Sequence, residues 1–188
     1  MAHQIKVIGL SGSLRKESYN TMLLKNASRF LPDDISFTLA EIANIPFYNE
    51  DLESDLPKSL TEFVELCSTA DAVLISTPEY NGQIPGVLKN ALDWVSIASL
   101  HKPLALKPIA IMGASTGLVG TARAQMNLRN LLFALNMDPV NRPEIRLAQA
   151  NFKFNGDGIL TDEKDLQMLE QLMTNFVVKV RKHLNQDN

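Results

Sequence analysis

The stretch I5-K-V-I-G-L-S-G-S-L-R-K-E-S-Y-N20 decides how the chain is read. Ile5 to Leu10 form an apolar run of strand length, and the segment from Thr21 carries Leu24, Ala27 and Leu31 at helical spacing. What lies between is therefore a strand-to-helix turn, rich in short hydroxyl and amide side chains. A helix start presents unpaired N–H groups and the positive end of the dipole, which together favour an anion. Ser13, Ser18 and Asn20 add side-chain donors, and Arg15 adds a charge able to form a bidentate pair. Neither G-x-G-x-x-G nor G-x-x-x-x-G-K-[ST] is present, which disfavours a dinucleotide pyrophosphate and a triphosphate with magnesium. A hydroxyl-rich loop with one arginine suits a terminal monophosphate. The same residues also suit an ordinary helix start, with Ser18 as N-cap and Arg15 as a surface charge.

Working outward, strand-like runs recur at I35-S-F-T-L39, A72-V-L-I-S76, I109-A-I-M112 and, more weakly, I145-R-L147. Leu60, Phe63, Val64 and Cys67 fall at i, i+3, i+4 and i+7, as do Leu88, Ala91, Leu92 and Val95. A final helix from Asp162 to His183 keeps Leu166, Leu169, Met173, Phe176, Val177 and Val180 on one stripe, acidic at its start and basic at its end. Strands alternating with helices indicate an α/β chain with a parallel sheet, because parallel neighbours need crossover connections. Five strands fit the flavodoxin-like order 2-1-3-4-5, a three-layer sandwich with helices on both faces. Ligands bind such sheets beyond the carboxyl ends of the strands, where the order reverses. The expected site is therefore built from the loops after strands one, three and four. With no internal repeat or linker, residues 1–188 read as a single domain.

The two remaining loops have the character that this placement requires. In T77-P-E-Y-N-G-Q-I-P-G-V-L-K-N-A-L-D-W94, Pro78, Gly82, Pro85 and Gly86 alternately fix and free the backbone. Tyr80 and Asn81 then lie at the sheet edge, where a planar aromatic ligand could rest. G113-A-S-T-G-L-V-G120 has three glycines and little bulk, which suits either close approach of something flat or a tight packing turn.

A hydrophobic content of 45% in 188 residues is enough for one substantial core, while a net charge of -3 provides no basic stripe for nucleic acid. No window approaches the roughly 18 apolar residues of a membrane span. The expectation is a cytoplasmic protein without membrane or nucleic-acid partners. Cys67, the single cysteine, sits on an apolar helix face and reads as a buried hydrophobe. His3, His101 and His183 are far apart, so no metal site is expected.

Three motifs, G12-S-L-R-K-E-S-Y-N20, P78-E-Y-N-G-Q-I-P-G-V-L-K-N-A-L-D-W94 and Gly113 through R123-A-Q125 with L128-R129, together with the weaker N141-R-P-E144, resemble the NADPH-dependent FMN reductases. This flavodoxin-like group includes quinone, azo-dye and chromate reductases. The resemblance implies a non-covalent FMN whose phosphate is gripped by Ser13, Arg15, Ser18 and Asn20. It assigns Pro78, Glu79, Tyr80, Asn81 and Gly82 to the isoalloxazine, with Gly113 and Ser115 completing the pocket. It further implies a ping-pong cycle, in which NADPH or NADH reduces the flavin and a small acceptor such as a quinone, azo compound or chromate then oxidises it. No side chain need act as acid or base in that cycle, so no catalytic residue is assigned. Arg123 is the candidate for contacting the 2′-phosphate of NADPH. Family members are commonly homodimers or homotetramers, which makes Trp94, on an expected helix from Val87 to Ser99, a candidate for burial either by a partner subunit or in the core. Glu144 is a second candidate for an inter-subunit contact. The competing reading is a flavodoxin-like electron carrier without nicotinamide reactivity, against which stand the modest charge and the absence of a T/S-x-T-x-x-T loop.

Overall fold

In the computed structural model, which describes residues 4–185, the apolar runs form a wholly parallel sheet. Its strands are β1 (Ile5–Ser11), β2 (Ile35–Leu39), β3 (Ala72–Ser76), β4 (Pro108–Ala114), β5 (Asp138–Pro139) and β6 (Ile145–Leu147). The order is β2-β1-β3-β4-β5, with β6 also paired to β4. This is the expected flavodoxin-like order, with one refinement at the fifth position. There β5 pairs with the start of β4 (Pro108 with Asp138) and β6 with its end (Met112 with Ile145). Asn141 to Glu144 leave the ladder between them. Pro143 has no N–H to donate, so a continuous fifth strand is interrupted where the sequence places it.

The helices are α1 (Tyr19–Ser28), α2 (Lys58–Thr69), α3 (Gly86–Trp94), α4 (Ala122–Ala134) and α5 (Glu163–Leu184). Successive strand residues point to opposite faces and so feed two cores. Ile8, Leu10, Val73, Ile75, Ile109 and Ile111 pack with α2, α3 and α4 through Leu60, Phe63, Leu88, Leu92, Leu128 and Leu132. Val7, Leu74, Ala110 and Met112 pack with α1 and α5 through Leu23, Leu24, Leu172, Met173 and Phe176. Asp162 caps α5 by accepting from the Asp165 amide, and Arg181, Lys182 and His183 sit in its last turn, as the dipole favours.

Helix α3 ends at Trp94, short of the expected Ser99. Trp94 is fully buried within its own chain, which resolves the two alternatives in favour of the core. Its indole N–H donates to the Pro46 carbonyl at 2.8 Å, and its ring meets Tyr48 edge-on at 4.9 Å. Cys67 is likewise buried, and burial pushes its thiol up to about 12 against a smaller opposing effect of Lys107. Its thiolate, the reactive form, is thus scarce at neutral pH.

Candidate functional site

Three loops meet at the carboxyl edge of β1, β3 and β4. The first leaves β1 at Gly12, whose amide donates to the Ser76 carbonyl at 2.8 Å. A Cβ on Gly12 would lie 3.1 Å from Pro78 Cδ and 3.1 Å from Thr77 Oγ1, so glycine lets this loop pass close to the loop after β3. Ser18 is the N-cap of α1, its hydroxyl accepting from the Thr21 amide at 3.2 Å. It also faces the cavity described next, so the helix-cap role and a ligand-facing position coincide in one residue.

That cavity, of about 150 Å³, is lined by Ser13, Arg15, Ser18, Tyr19, Asn20, Pro78, Glu79, Tyr80, Ala114, Ser115 and Thr116. Its groups are mainly donors. The Tyr19 and Asn20 amides, in the first turn of α1, have no intrahelical acceptor. Ser13 and Ser18 contribute hydroxyls, and the Arg15 guanidinium, held over the Tyr19 ring at 5.8 Å, pairs with no carboxylate among the described residues. Tyr19 in turn stacks on Phe154 at 5.7 Å. The one carboxylate in the lining, Glu79, is turned away. Its Oε2 accepts from the Arg123 and Ala124 amides at 2.9 and 3.1 Å, capping α4, and its Oε1 lies 3.5 Å from Arg123 Nη1. The cavity thus favours an anion at the α1 end, with the exposed Tyr80 at its other rim.

Of the eleven residues singled out in the sequence, eight line this cavity. Asn81 and Gly82 do not. They form the tip of a hairpin, with φ of 53° and 75°, closed by paired bonds between Tyr80 and Gln83 at 3.0 Å. Asn127 on α4 holds this tip by donating to the Gly82 carbonyl at 3.0 Å. Gly113 is also outside the lining. Where the sequence left ligand approach and tight packing both open, the structure selects packing, because Thr121 occupies the space beside Gly113.

Asn20 lines the cavity, yet its carboxamide serves the fold as well. Its Nδ2 donates to the Ala114 carbonyl at 3.0 Å, and its Oδ1 accepts from the Ala114 amide and the Ser76 hydroxyl, both at 2.9 Å. One side chain thereby ties the first loop to the ends of β3 and β4. Tyr19, Ala114 and Thr116 line the cavity without having been singled out. Tyr19 was within reach of sequence reasoning, since it sits between two assigned residues of the first motif. His3 lies outside the described residues, and among those described no group of three or more His, Cys, Asp or Glu is placed to share a metal ion. No described helix is long and apolar enough to cross a membrane.

The profile of the family described as NADPH-dependent FMN reductase matches residues 5–152. The chain is 43% identical to an NAD(P)H-dependent FMN reductase of Pseudomonas aeruginosa, over 97% of this chain and 98% of that protein. It is 36% identical to a 2-hydroxy-1,4-benzoquinone reductase of a Burkholderia species, over 94% and 97%. Among solved structures, it superposes on FerB, a flavoenzyme NAD(P)H:(acceptor) oxidoreductase of Paracoccus denitrificans. The TM-score is 0.87 at 36% identity, with 95% of this chain and 98% of that one covered.

Proposed function

The chain belongs to the NADPH-dependent FMN reductase family, and from that premise we propose that its cavity seats the phosphate end of FMN. It is an NAD(P)H-dependent oxidoreductase that works through FMN, with the general reaction of its FMN- and quinone-reducing relatives. The observation that carries the site assignment is the donor set. Two hydroxyls, two first-turn amides and an arginine without a carboxylate partner among the described residues line one end of the cavity, while the nearest carboxylate points elsewhere. That set fits a phosphate monoester and would repel a cation. At about 150 Å³ the cavity suits the phosphate and the adjoining chain, leaving the ring at the rim formed by Pro78, Tyr80, Asn81 and Gly82.

Bound FMN supplies the two-electron chemistry between a reduced nicotinamide and an acceptor. In our reading Ser13, Ser18 and the α1 amides orient the phosphate, and Arg15 neutralises it. Ser115 borders the cavity from the loop after β4, and Asn20 and Glu79 hold the three loops in register. Nicotinamide and acceptor, a quinone in the first instance, use the same open side beside Tyr80 in turn, a ping-pong order. Residues 1–188 act as one domain.

We further propose a homodimer or homotetramer. Its support is the exposed row of Met126 and Phe133 on α4, near exposed Leu118 and Val119. A sedimentation mass equal to one chain would remove this part of the reading. A cytoplasmic setting is supported by the buried, unpaired Cys67.

Two measurements test the core of the proposal. Anaerobic mixing of FMN-loaded protein with NADPH should bleach the yellow flavin absorbance. Persistence of the colour leaves only an electron carrier. Replacing Arg15 with alanine should raise the FMN dissociation constant by about 10- to 100-fold, the worth of one charge-assisted contact at a partly exposed site. Unchanged affinity in a fluorescence titration would refute the phosphate assignment.

A further inference from the structure

Arg15 sits on a stretch of loop, Leu14 to Glu17, in which every residue is exposed. Its guanidinium makes one hydrogen bond among the described residues, from Nη2 to the Glu17 carbonyl at 3.3 Å. A long side chain in such a place loses rotamer freedom when a ligand fixes it, which subtracts from affinity unless the fold has ordered it beforehand. The contact that orders it here is aromatic. The guanidinium carbon lies 5.8 Å from the centroid of the half-buried Tyr19 ring, within reach of a cation–π contact. That ring stacks on Phe154 at 5.7 Å with 24° between the planes, and both rings pack against the core shared by α1 and α5.

Phe154 is itself held firmly. Residues 153–161, between β6 and α5, form a tight turn in which Phe154 bridges Leu160 in antiparallel fashion. The Asn155 amide donates to the Ile159 carbonyl and the Thr161 amide to the Lys153 carbonyl, each at 2.9 Å. Asn155 closes the turn from within, its Oδ1 accepting from the Asp157 and Ile159 amides at 3.0 and 2.9 Å. Two side chains then fasten the turn to the flanking helices. Asn26 of α1, 3% exposed, donates to the Gly158 carbonyl at 2.8 Å and accepts from the Leu160 amide at 3.0 Å. Lys153 pairs with Asp165 in the first turn of α5. The turn thereby gives the Phe154 ring a fixed place against Tyr19.

We propose that Phe154 is a positioning residue for flavin binding, which acts through Tyr19 to hold the Arg15 guanidinium ready for the phosphate. The inference rests on the reading that Arg15 meets the FMN phosphate in the first cavity. It adds a residue that does not line that cavity and that lies beyond residues 5–152, the span of the family match. Without the Phe154 ring, Tyr19 is free to turn and Arg15 moves with it, so the ligand must order both on binding. Arg15 serves the phosphate alone, so the loss is confined to flavins that carry one.

The test is a fluorescence titration of the flavin-free, full-length chain with FMN and with riboflavin, which has the same ring and ribityl chain but no phosphate. Phe154→Ala should raise the FMN dissociation constant about three- to tenfold and leave that of riboflavin at the parent value. Phe154→Tyr, which keeps a ring to stack on, should restore the parental FMN affinity. In an Arg15→Ala background, Phe154→Ala should have no further effect on FMN, because residues that act as one unit are not additive. Parental FMN affinity in Phe154→Ala, or losses that add in the double variant, overturn the proposal. An equal loss for FMN and riboflavin also overturns it, since the turn would then support only the fold. Parental FMN affinity in Arg15→Ala alone overturns the phosphate reading on which the proposal rests, so the two failures are distinguishable.

Discussion

Replacing Gly113 with alanine is expected to lower folding stability by about 3 kcal/mol or more and the melting temperature by roughly 6–12 °C, for a chain of this length. Gly113 lies near the end of β4, and a Cβ there would stand 2.0 Å from Thr121 Oγ1, 2.5 Å from the Thr77 carbonyl oxygen and 2.9 Å from Thr121 Cβ. None of these is the free tip of a flexible side chain. Thr77 contributes main chain from the loop after β3, and Thr121 is fully buried at the start of α4 with its hydroxyl bonded to Gln125. Relief would require the loop after β3 or the start of α4 to move, and Glu79 cross-links those same two segments. Gly86→Ala is the matched control, because nothing lies within 4 Å of the added methyl group at the first residue of α3. Thermal unfolding of both variants decides the matter. A Gly113→Ala melting temperature equal to that of Gly86→Ala would show that the space beside β4 is open, as a ligand-approach reading of this glycine requires.

Gly113 also illustrates how far the sequence could be read. Small residues at a strand end say that something approaches the backbone, but nothing local to them distinguishes a ligand from a threonine eight positions onward. The alternation of strand and helix was legible because central parallel strands, buried on both faces, read as continuous apolar runs such as Ala72–Ser76, while the helices carry an apolar stripe of period 3.6. Strand length was less legible where side chains matter less than the missing N–H groups of Pro139 and Pro143, which leave the fifth position in two pieces. Helix α3 stops at Trp94, and the indole of that residue is held by Pro46 from a distant loop, a contact with no local signature. Asn20 and Glu79 were recognised as site residues from their motifs, yet the hydrogen bonds that occupy them reach Ala114 and Arg123. Polar residues suited to a ligand are equally suited to cross-linking the loops around it, and only the fold shows which atoms are taken. The closeness of Arg129, Glu144 and Arg146 was invisible for the same reason, since pairing of β6 with β4 is what brings Arg146 and Glu144 beside α4.

Asn20 offers the sharpest separation of those two uses. Asn20→Ala is expected to lose about 3 kcal/mol of stability even without FMN, since it strips partners from the Ala114 amide, the Ala114 carbonyl and the Ser76 hydroxyl in a buried setting. FMN affinity should fall as well, by about tenfold, because the loop bearing Ser13 and Ser18 loses its attachment to β4. If Asn20 acted only on the phosphate, the flavin-free melting temperature would match the parent, and that result would sink the cross-linking role. Asn20→Asp refines the test through pH. An ionised carboxylate at this position would face the Ala114 carbonyl oxygen, which accepts from Nδ2 at 3.0 Å in the parent, whereas a protonated carboxyl can restore that donation. Burial and the facing oxygen both disfavour the charged form, so the folded-state pKa of the introduced carboxyl should rise above the unfolded value of about 3.9. The folded state then holds more protons than the unfolded one, and stability declines with pH from about 4 upward to the raised folded value, where the decline levels off. The stability gap between Asn20→Asp and the parent should therefore be narrow at pH 4 and wide at pH 7 in urea unfolding. A gap independent of pH would mean that the carboxyl has turned away from Ala114 into solvent, and that the Nδ2 donation is dispensable.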